Sequence, residues 1–366
     1  MKVAGPAQNL VAVRARSALI AVVHVNSIHD VVGKSILWAR RPRRAGWRVA
    51  GRIPRGAGLP AAVGTRGPAR WCVVWLVRLV LAAAPAAART LRLFVIGNSF
   101  SNNATRFLPE LAKAGGHELI MAKAATGGCS LERHWNALAA DLADPADAKG
   151  KIYAGKSLRA NLGAGPWDVI TIQQYSMHSS DLGTYRPYAR KLYDQLKTLE
   201  PRAEIVLHQT WAYRVDAAKF GQTGENRFAA DNREMWEKSR AAYHTIAREL
   251  GVRLIPTGDA FWRINSDPQW SYRPDEKFDF KGAVKPALPT QTNSLHVGYR
   301  WGKDDKLGKD ANHANVAGEY LGALVWYGFL FGESPERLTF VPPGIAPEFA
   351  TQLRKVAWQV VQMNSP

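Results

Sequence analysis

Cysteine is almost missing from this chain: Cys72 and Cys129 are the only two in 366 residues. That excludes a fold stapled by several disulfides, so stability must come from an apolar core. A hydrophobic share of 46% supplies one. No Cys-x-x-Cys pair and no His-Glu-x-x-His segment occurs, which excludes zinc sites of familiar spacing. Unbroken apolar runs of about 20 residues, the length a membrane span requires, are missing too. The longest candidate, Trp71–Ala88, is broken by Arg78 and Pro85. Acidic charge is sparse: 30 Asp and Glu against 49 Lys and Arg leave a net charge of +19. Such an excess points to a nucleic-acid partner only if it lies over the folded body. It does not. Residues 1–88 hold 14 of the basic groups and one acid, Asp30, whereas the other 278 residues carry 35 basic and 29 acidic groups. No nucleic-acid partner is expected.

The front segment is unusual in a second way. Arg40-Arg41-Pro42-Arg43-Arg44 and the Gly/Pro/Arg-rich stretch to Arg70 follow neither a 3.6 nor a 2 period, which predicts disorder. Trp71–Leu81 is apolar except for Arg78 and runs into Ala82-Ala83-Ala84, Pro85 and Ala86-Ala87-Ala88. That order resembles a secretory signal with cleavage after Ala88, giving an extracytoplasmic protein that begins near Arg89 and has no stable membrane span. The alternative is a cytoplasmic protein with a basic tail. The expected organisation is an extension over 1–88 and one folded domain over 89–366. Nothing in the sequence sets an oligomeric state.

From Leu91 onward, short apolar runs alternate with helical patterns. Strands are predicted at Leu91–Ile96, His117–Ala122, Asp168–Ile172, Ala203–Gln209 and Val252–Ile255. Helices are predicted at Asn103–Ala114, Leu131–Leu142, Tyr185–Leu199, Asn226–Leu250, Asn315–Phe331 and Pro347–Gln362. This rhythm predicts an α/β fold with a mainly five-stranded parallel sheet covered on both faces. Right-handed crossovers then bring every strand's carboxyl end to one edge, where such sheets bind ligands. Ser99, Gly127-Gly128, Gln173-Gln174 and His208-Gln209-Thr210-Trp211 all follow predicted strands. They should share that edge. Residues 265–309 break the rhythm with Trp270, Tyr272, Phe278, Phe280, Tyr299 and Trp301 scattered among polar residues. The segment reads either as a rim or lid beside the site or as a solvated insertion with its aromatics tucked into the core edge.

Two blocks carry chemistry. Gly97-Asn98-Ser99 places a hydroxyl at the tip of a buried strand, and Asp310-Ala311-Asn312-His313, read as opening the long apolar helix, offers an imidazole with a carboxylate three residues before it. A hydroxyl attacks poorly unless a base takes its proton, and the base works best when a carboxylate orients it. Ser99 or Ser101, and Asp310, could instead cap the helices that follow them. Gly150–Ser157 spells a phosphate-binding loop, but the acidic, proline-broken stretch before it is no strand, so nucleotide binding is not expected.

Both blocks resemble the SGNH (GDSL-like) hydrolase superfamily, and within it a mostly uncharacterised bacterial branch with carbohydrate-esterase-like relatives. The resembling segments run from Leu91 to Gly332, and Asp310–Leu321 is the most specific. The resemblance implies a flavodoxin-like three-layer α/β/α sandwich and a serine esterase that needs no cofactor. Carried onto this sequence, it implies Ser99 as nucleophile, His313 as general base and Asp310 as its orienting carboxylate. Oxyanion donors would be the Ser99 amide, Gly128 (with Gly127 as the alternative) and Gln173 or Gln174. These glutamines stand where the family usually has Gly-x-Asn-Asp, and Gln173 is favoured because it ends the strand. Gln174, His208, Trp211, His296 and Trp301 are expected on a substrate rim, as is His134. For His208 and His134 the rim is the secondary reading; the favoured one is a partly buried ring with a satisfied hydrogen bond. The implied substrate is a small acyl ester, such as acetyl on carbohydrate. The rivals are a thioesterase or lysophospholipase on longer chains and an inactive carbohydrate-binding relative.

Overall fold

The computed structural model describes residues 87–221 and 229–364. The signal-like segment and the basic stretch before it therefore fall outside the described residues up to position 86. Strand β1 (Thr90–Gly97) sorts its side chains by the two-residue period of a pleated strand. Leu91, Leu93 and Val95 enter one apolar cluster, and Phe94 and Ile96 enter another. Each later strand is reached through helices. α1 (Ser99–Ala104) and α2 (Leu108–Ala114) lead to β2 (Glu118–Ala125). α3 (Leu131–Ala143) and α4 (Leu158–Leu162) lead to β3 (Val169–Ile172), α5 (Tyr188–Leu199) to β4 (Glu204–His208), and α6 (Asn232–Leu250) to β5 (Leu254–Ile255).

The five strands form one parallel sheet in the order β2-β1-β3-β4-β5. Registers Leu93↔Val169 and Ile170↔Ile205 keep matching faces together, so each face is continuous across the sheet. One cluster packs against α1, α2 and two later helices, α8 (Val316–Phe331) and α9 (Pro347–Met363), through Phe100, Leu111, Leu324 and Leu353. The other packs against α3 to α6 through Leu138, Leu158, Leu192 and Ile246. The result is the expected three-layer α/β/α sandwich. α8 is buried on nearly every side, since α9 covers its outer face. Among the described residues no helix is long and apolar enough to cross a membrane.

The strand order reverses at β1, because the chain goes out to β2 and then back past β1 to β3. Ligand crevices of open α/β sheets lie at such a reversal, outside the strands' carboxyl ends. Ser99 follows β1 and Gln173 follows β3, so both flank that crevice.

Four readings of the sequence need correction. The single helix expected at Asn103–Ala114 is two, α1 beginning at Ser99 and α2 restarting before Pro109, a residue tolerated only in the first turn of a helix. α7 (Thr257–Asn265) occupies a stretch to which the sequence pattern assigned no helix; Ala260, Phe261 and Ile264 are its buried face. Within 265–309 the chain forms β6 (His296–Trp301), antiparallel to β7 (Leu307–Ala314). Asp310 and His313 therefore lie on β7 and do not open a helix. The helix begins only at Val316, where the Asn315 side chain accepts from the Gly318 N–H and caps it.

Candidate active site

Gly97 ends β1 where a side chain would collide with the Ser101 hydroxyl and sit 3.1 Å from Gln173 Cδ. Asn98 follows in extended conformation and is the true cap of α1: its Oδ1 accepts from the Phe100 N–H at 3.0 Å. Ser99 is thus the first helical residue, and neither it nor Ser101 supplies the cap. Asp310 is likewise not a cap. Its Oδ1 accepts from the backbone N–H of His313 at 3.0 Å, folding a tight turn on β7.

Across the crevice, His313 Nδ1 lies 2.9 Å from Asp310 Oδ2, and His313 Nε2 lies 2.9 Å from Ser99 Oγ. Burial alone would raise the Asp310 pKa. Hydrogen bonds from the His313 ring and backbone and from Asn312 outweigh it and hold the carboxyl well below the usual carboxylate range. An ionised carboxylate only accepts, so Nδ1 carries the proton and Nε2 turns its lone pair to the serine hydroxyl. A neutral imidazole so oriented can accept the Ser99 proton.

A second network runs behind Ser99, and its orientation follows from fixed backbone groups. Asn98 Nδ2 donates to the Cys129 carbonyl at 3.0 Å, which fixes the amide and leaves Oδ1 as the acceptor. Gln173 Nε2 must then donate to Asn98 Oδ1 (2.7 Å), so Gln173 Oε1 accepts from His208 Nδ1 (2.8 Å). The second amide hydrogen of Gln173 has no partner among the described residues. Asn98 also ties the nucleophile to the turn holding Gly128, which adopts φ +61°, a backbone region suited to glycine. Segments 98–99, 128–129 and 173 are thereby one hydrogen-bonded unit. Sequence reasoning gave Asn98 no role. A carboxamide set directly between Gly97 and Ser99 is the signal that could have found it.

The expected rim is largely misplaced. Gln174 is buried and fully committed: its Oε1 accepts from the Leu131 and Tyr175 N–H groups, and its Nε2 donates to the Thr184 carbonyl and hydroxyl. It braces the chain and is not positioned as a donor to substrate. His208 is buried behind Gln173, and burial pushes its pKa down to about 3. His134 is buried against Tyr153, its Nδ1 2.7 Å from the phenol oxygen, and burial, aided by Arg133, lowers it to about 3. His296 Nε2 donates to the Ala212 carbonyl at 3.1 Å, and burial lowers its pKa to about 4. Trp211 is stacked between Phe100 and Phe261 at centroid distances of 4.3 and 4.5 Å. None of these side chains reaches a rim: Gln174, His208 and Trp211 turn into the core at or just beyond strand ends, His296 is buried at the start of β6, and His134 is buried on α3, as favoured from the sequence for His208 and His134. Trp301 is half-exposed at the end of β6, its indole N–H on the Ala287 carbonyl. Of the aromatics in 265–309, Tyr272 is buried and Trp270 stacks on Phe349. The loop-like Gly150–Ser157 follows no strand: Ser157 caps α4 instead. Among the described residues no cluster of three or more His, Cys, Asp or Glu is placed to hold a metal ion.

Sheet order and layers define a three-layer α/β/α sandwich around a parallel sheet. The family model of a domain of unknown function, DUF4886, matches residues 92–261, which include Ser99 and Gln173 and stop short of His313. No curated protein matches the chain. A solved DUF4886 family protein from Bacteroides uniformis is 23% identical, with a TM-score of 0.56, over 75% of this chain and 95% of that chain. It shares the fold. A Slackia heliotrinireducens protein provisionally assigned to the SGNH hydrolases is 21% identical over 65% of this chain and 97% of its own, TM-score 0.39. A Parabacteroides merdae protein provisionally assigned as a GDSL-like lipase is 13% identical over 66% and 95%, TM-score 0.37.

Proposed function

We propose that this chain is a serine esterase acting by acyl transfer. The observation that carries the reading is the continuous line from Asp310 through His313 to Ser99, with hydrogen-bond distances of 2.9 Å at both joints. In the proposed reaction Ser99 Oγ attacks an ester carbonyl while His313 Nε2 takes its proton. The negative charge that develops on the carbonyl oxygen is met by the Ser99 and Gly128 amides and the free N–H of Gln173. His313 then returns the proton to the leaving alcohol, and water activated by the same ring releases the acyl group. Asp310, held ionised, stabilises the imidazolium in both half-reactions.

The proposed substrate carries a short acyl group, such as acetyl on carbohydrate, a reading supported by the resemblance of the Ser99 and His313 blocks to carbohydrate-esterase-like relatives. Rates on p-nitrophenyl acetate, butyrate, octanoate and palmitate test this directly. The proposal predicts the highest kcat/KM on acetate and loss of all activity in Ser99→Ala. A preference for octanoate or longer would favour a thioesterase or lysophospholipase, and activity surviving in Ser99→Ala would remove the serine mechanism. Export to an extracytoplasmic compartment is part of the proposal, and a mature amino terminus near Arg89 on secreted protein is its expected signature.

A further inference from the structure

Arg214 is a permanent cation with only 2% of its side chain exposed, and the reaction proposed above gives it no work. It is the most heavily partnered buried side chain near the site. Its Nε and Nη2 reach the two oxygens of Asp216 at 2.7 and 2.9 Å, and Nη1 donates to Gln291 Oε1 at 2.8 Å. Its guanidinium lies over Tyr272 at 4.2 Å and near Tyr299 at 5.2 Å. Gln291 in turn brackets the Tyr299 backbone, accepting from its N–H at 2.7 Å and donating to its carbonyl at 3.0 Å. Gly298 has φ +70°, and a side chain there would run into both Arg214 and Gln291. Buried ion pairs add little net stability compared with well-packed apolar groups, so their retention calls for another reason.

The reason lies in the hairpin. His296 pairs with Ala314 and Gly298 with Asp310, so three residues of β7, Ala311 to His313, face the single residue Val297. The ladder is broken at the segment between the carboxylate and the imidazole. A bulge of this kind re-aims side chains, and here it turns His313 toward Ser99. Two carbonyls inside the bulge take their hydrogen bonds from the loop after β4. The Arg214 backbone N–H donates to the Ala311 carbonyl at 2.8 Å, and the Trp211 indole N–H donates to the Asn312 carbonyl at 2.9 Å. Lys309, the residue before Asp310, binds the Asp216 backbone carbonyl and lies 3.6 Å from the Asp216 carboxylate. Burial alone would raise the Asp216 pKa; Arg214 and Lys309 reverse that and hold it charged.

We propose that Arg214, locked by Asp216, is a positioning residue that clamps the 311–313 bulge and so sets the distance from His313 to Ser99. The inference rests on the esterase reading for its kinetic consequence and not for its structural one. A displacement of about 1 Å at a reacting group costs about 100-fold in rate.

The test compares Arg214→Lys, Arg214→Gln and Asp216→Asn in the full chain. In kinetics on p-nitrophenyl acetate the clamp predicts kcat down about 100-fold with KM nearly unchanged, and no further loss when Arg214→Gln is added to His313→Ala. A purely structural role predicts lower melting temperature with kcat per folded molecule unchanged, or equal losses in both backgrounds; either overturns the clamp. The second readout does not need turnover. The proton shared by His313 and Asp310 gives a downfield NMR resonance, which should vanish or broaden in Arg214→Lys while the backbone amide spectrum stays native. Its persistence overturns the clamp even if no ester is hydrolysed. Failure of the wild type on every ester, with that resonance lost in the variant, overturns the esterase reading and leaves the clamp standing.

Discussion

Ser99 and His313 meet at 2.9 Å, yet the backbone behind each is fixed by different means. Behind Ser99 stand a central parallel strand, a helix start and the Asn98–Gln173–His208 chain of hydrogen bonds, all sealed from water. Behind His313 stands a two-stranded hairpin whose ladder is interrupted at the residues that matter. A lone hairpin is marginal without packing partners. The nucleophile half is therefore rigid by construction, and the base half is rigid by attachment. This difference teaches where each half should fail: the first through chemistry or core stability, the second through alignment.

The largest effects should come from the atoms that meet. Ser99→Ala and His313→Ala should each reduce kcat by about 10⁴- to 10⁶-fold without unfolding the protein, as circular dichroism would verify. Asp310→Asn should cost about 10⁴-fold, since it presents the wrong hydrogen-bonding partner to His313 Nδ1. Equal activity in Asp310→Asn and wild type would mean that Asp310 does not orient His313 in the reaction.

The two glutamines sharpen the comparison within the rigid half. Gln173→Ala should lower turnover by about 10²- to 10³-fold, because it removes a proposed donor to the oxyanion. Gln174→Ala should instead lower unfolding free energy by about 1–3 kcal/mol, since it orphans buried partners at Leu131 and Thr184, with turnover per folded molecule unchanged. Denaturant titration together with active-site-normalised kinetics separates the two. Reversed outcomes would exchange their roles.

The smallest effect per group is a dependence of stability on pH. His134 and His208 are held neutral with pKa about 3, and His296 with pKa about 4, all chiefly by burial. Unfolding exposes them to an ordinary value near 6.5. Their depressed values mean that the unfolded state binds more protons, so the stability they contribute is fully present above pH 6.5. It is lost as pH falls toward the folded values, by up to about 1.4 kcal/mol per pH unit for each ring. His134→Gln or His208→Gln should flatten that slope between pH 6.5 and 4; an unchanged slope would show that the ring is protonated inside the fold.

Much of the rigid half was legible because it is local and periodic. Leu91–Ile96 alternates onto two faces, Val169–Ile172 is rich in β-branched residues, and Gly251 closes α6 in the left-handed conformation common at helix ends. The hairpin half was not. Half of Leu307–Ala314 is polar, with Lys309, Asp310, Asn312 and His313, and it becomes a strand only by pairing with β6. Its closeness to an apolar helix made it look like the start of that helix. The rim residues failed for a related reason: residue type does not reveal depth, and Trp211 beyond β4 and His296 at the start of β6 are both buried. Arg214 escaped notice because one arginine among 49 basic residues carries no signal until its partners are seen.

The central claim is that the Ser99 hydroxyl is activated by His313. Intact-protein and peptide mass spectrometry after exposure to a fluorophosphonate tests it most directly. The account predicts a single covalent adduct on Ser99, formed rapidly by the native chain, slowly by His313→Ala and not at all by Ser99→Ala. A folded native chain that takes up no probe, or takes it up at another residue, would contradict it.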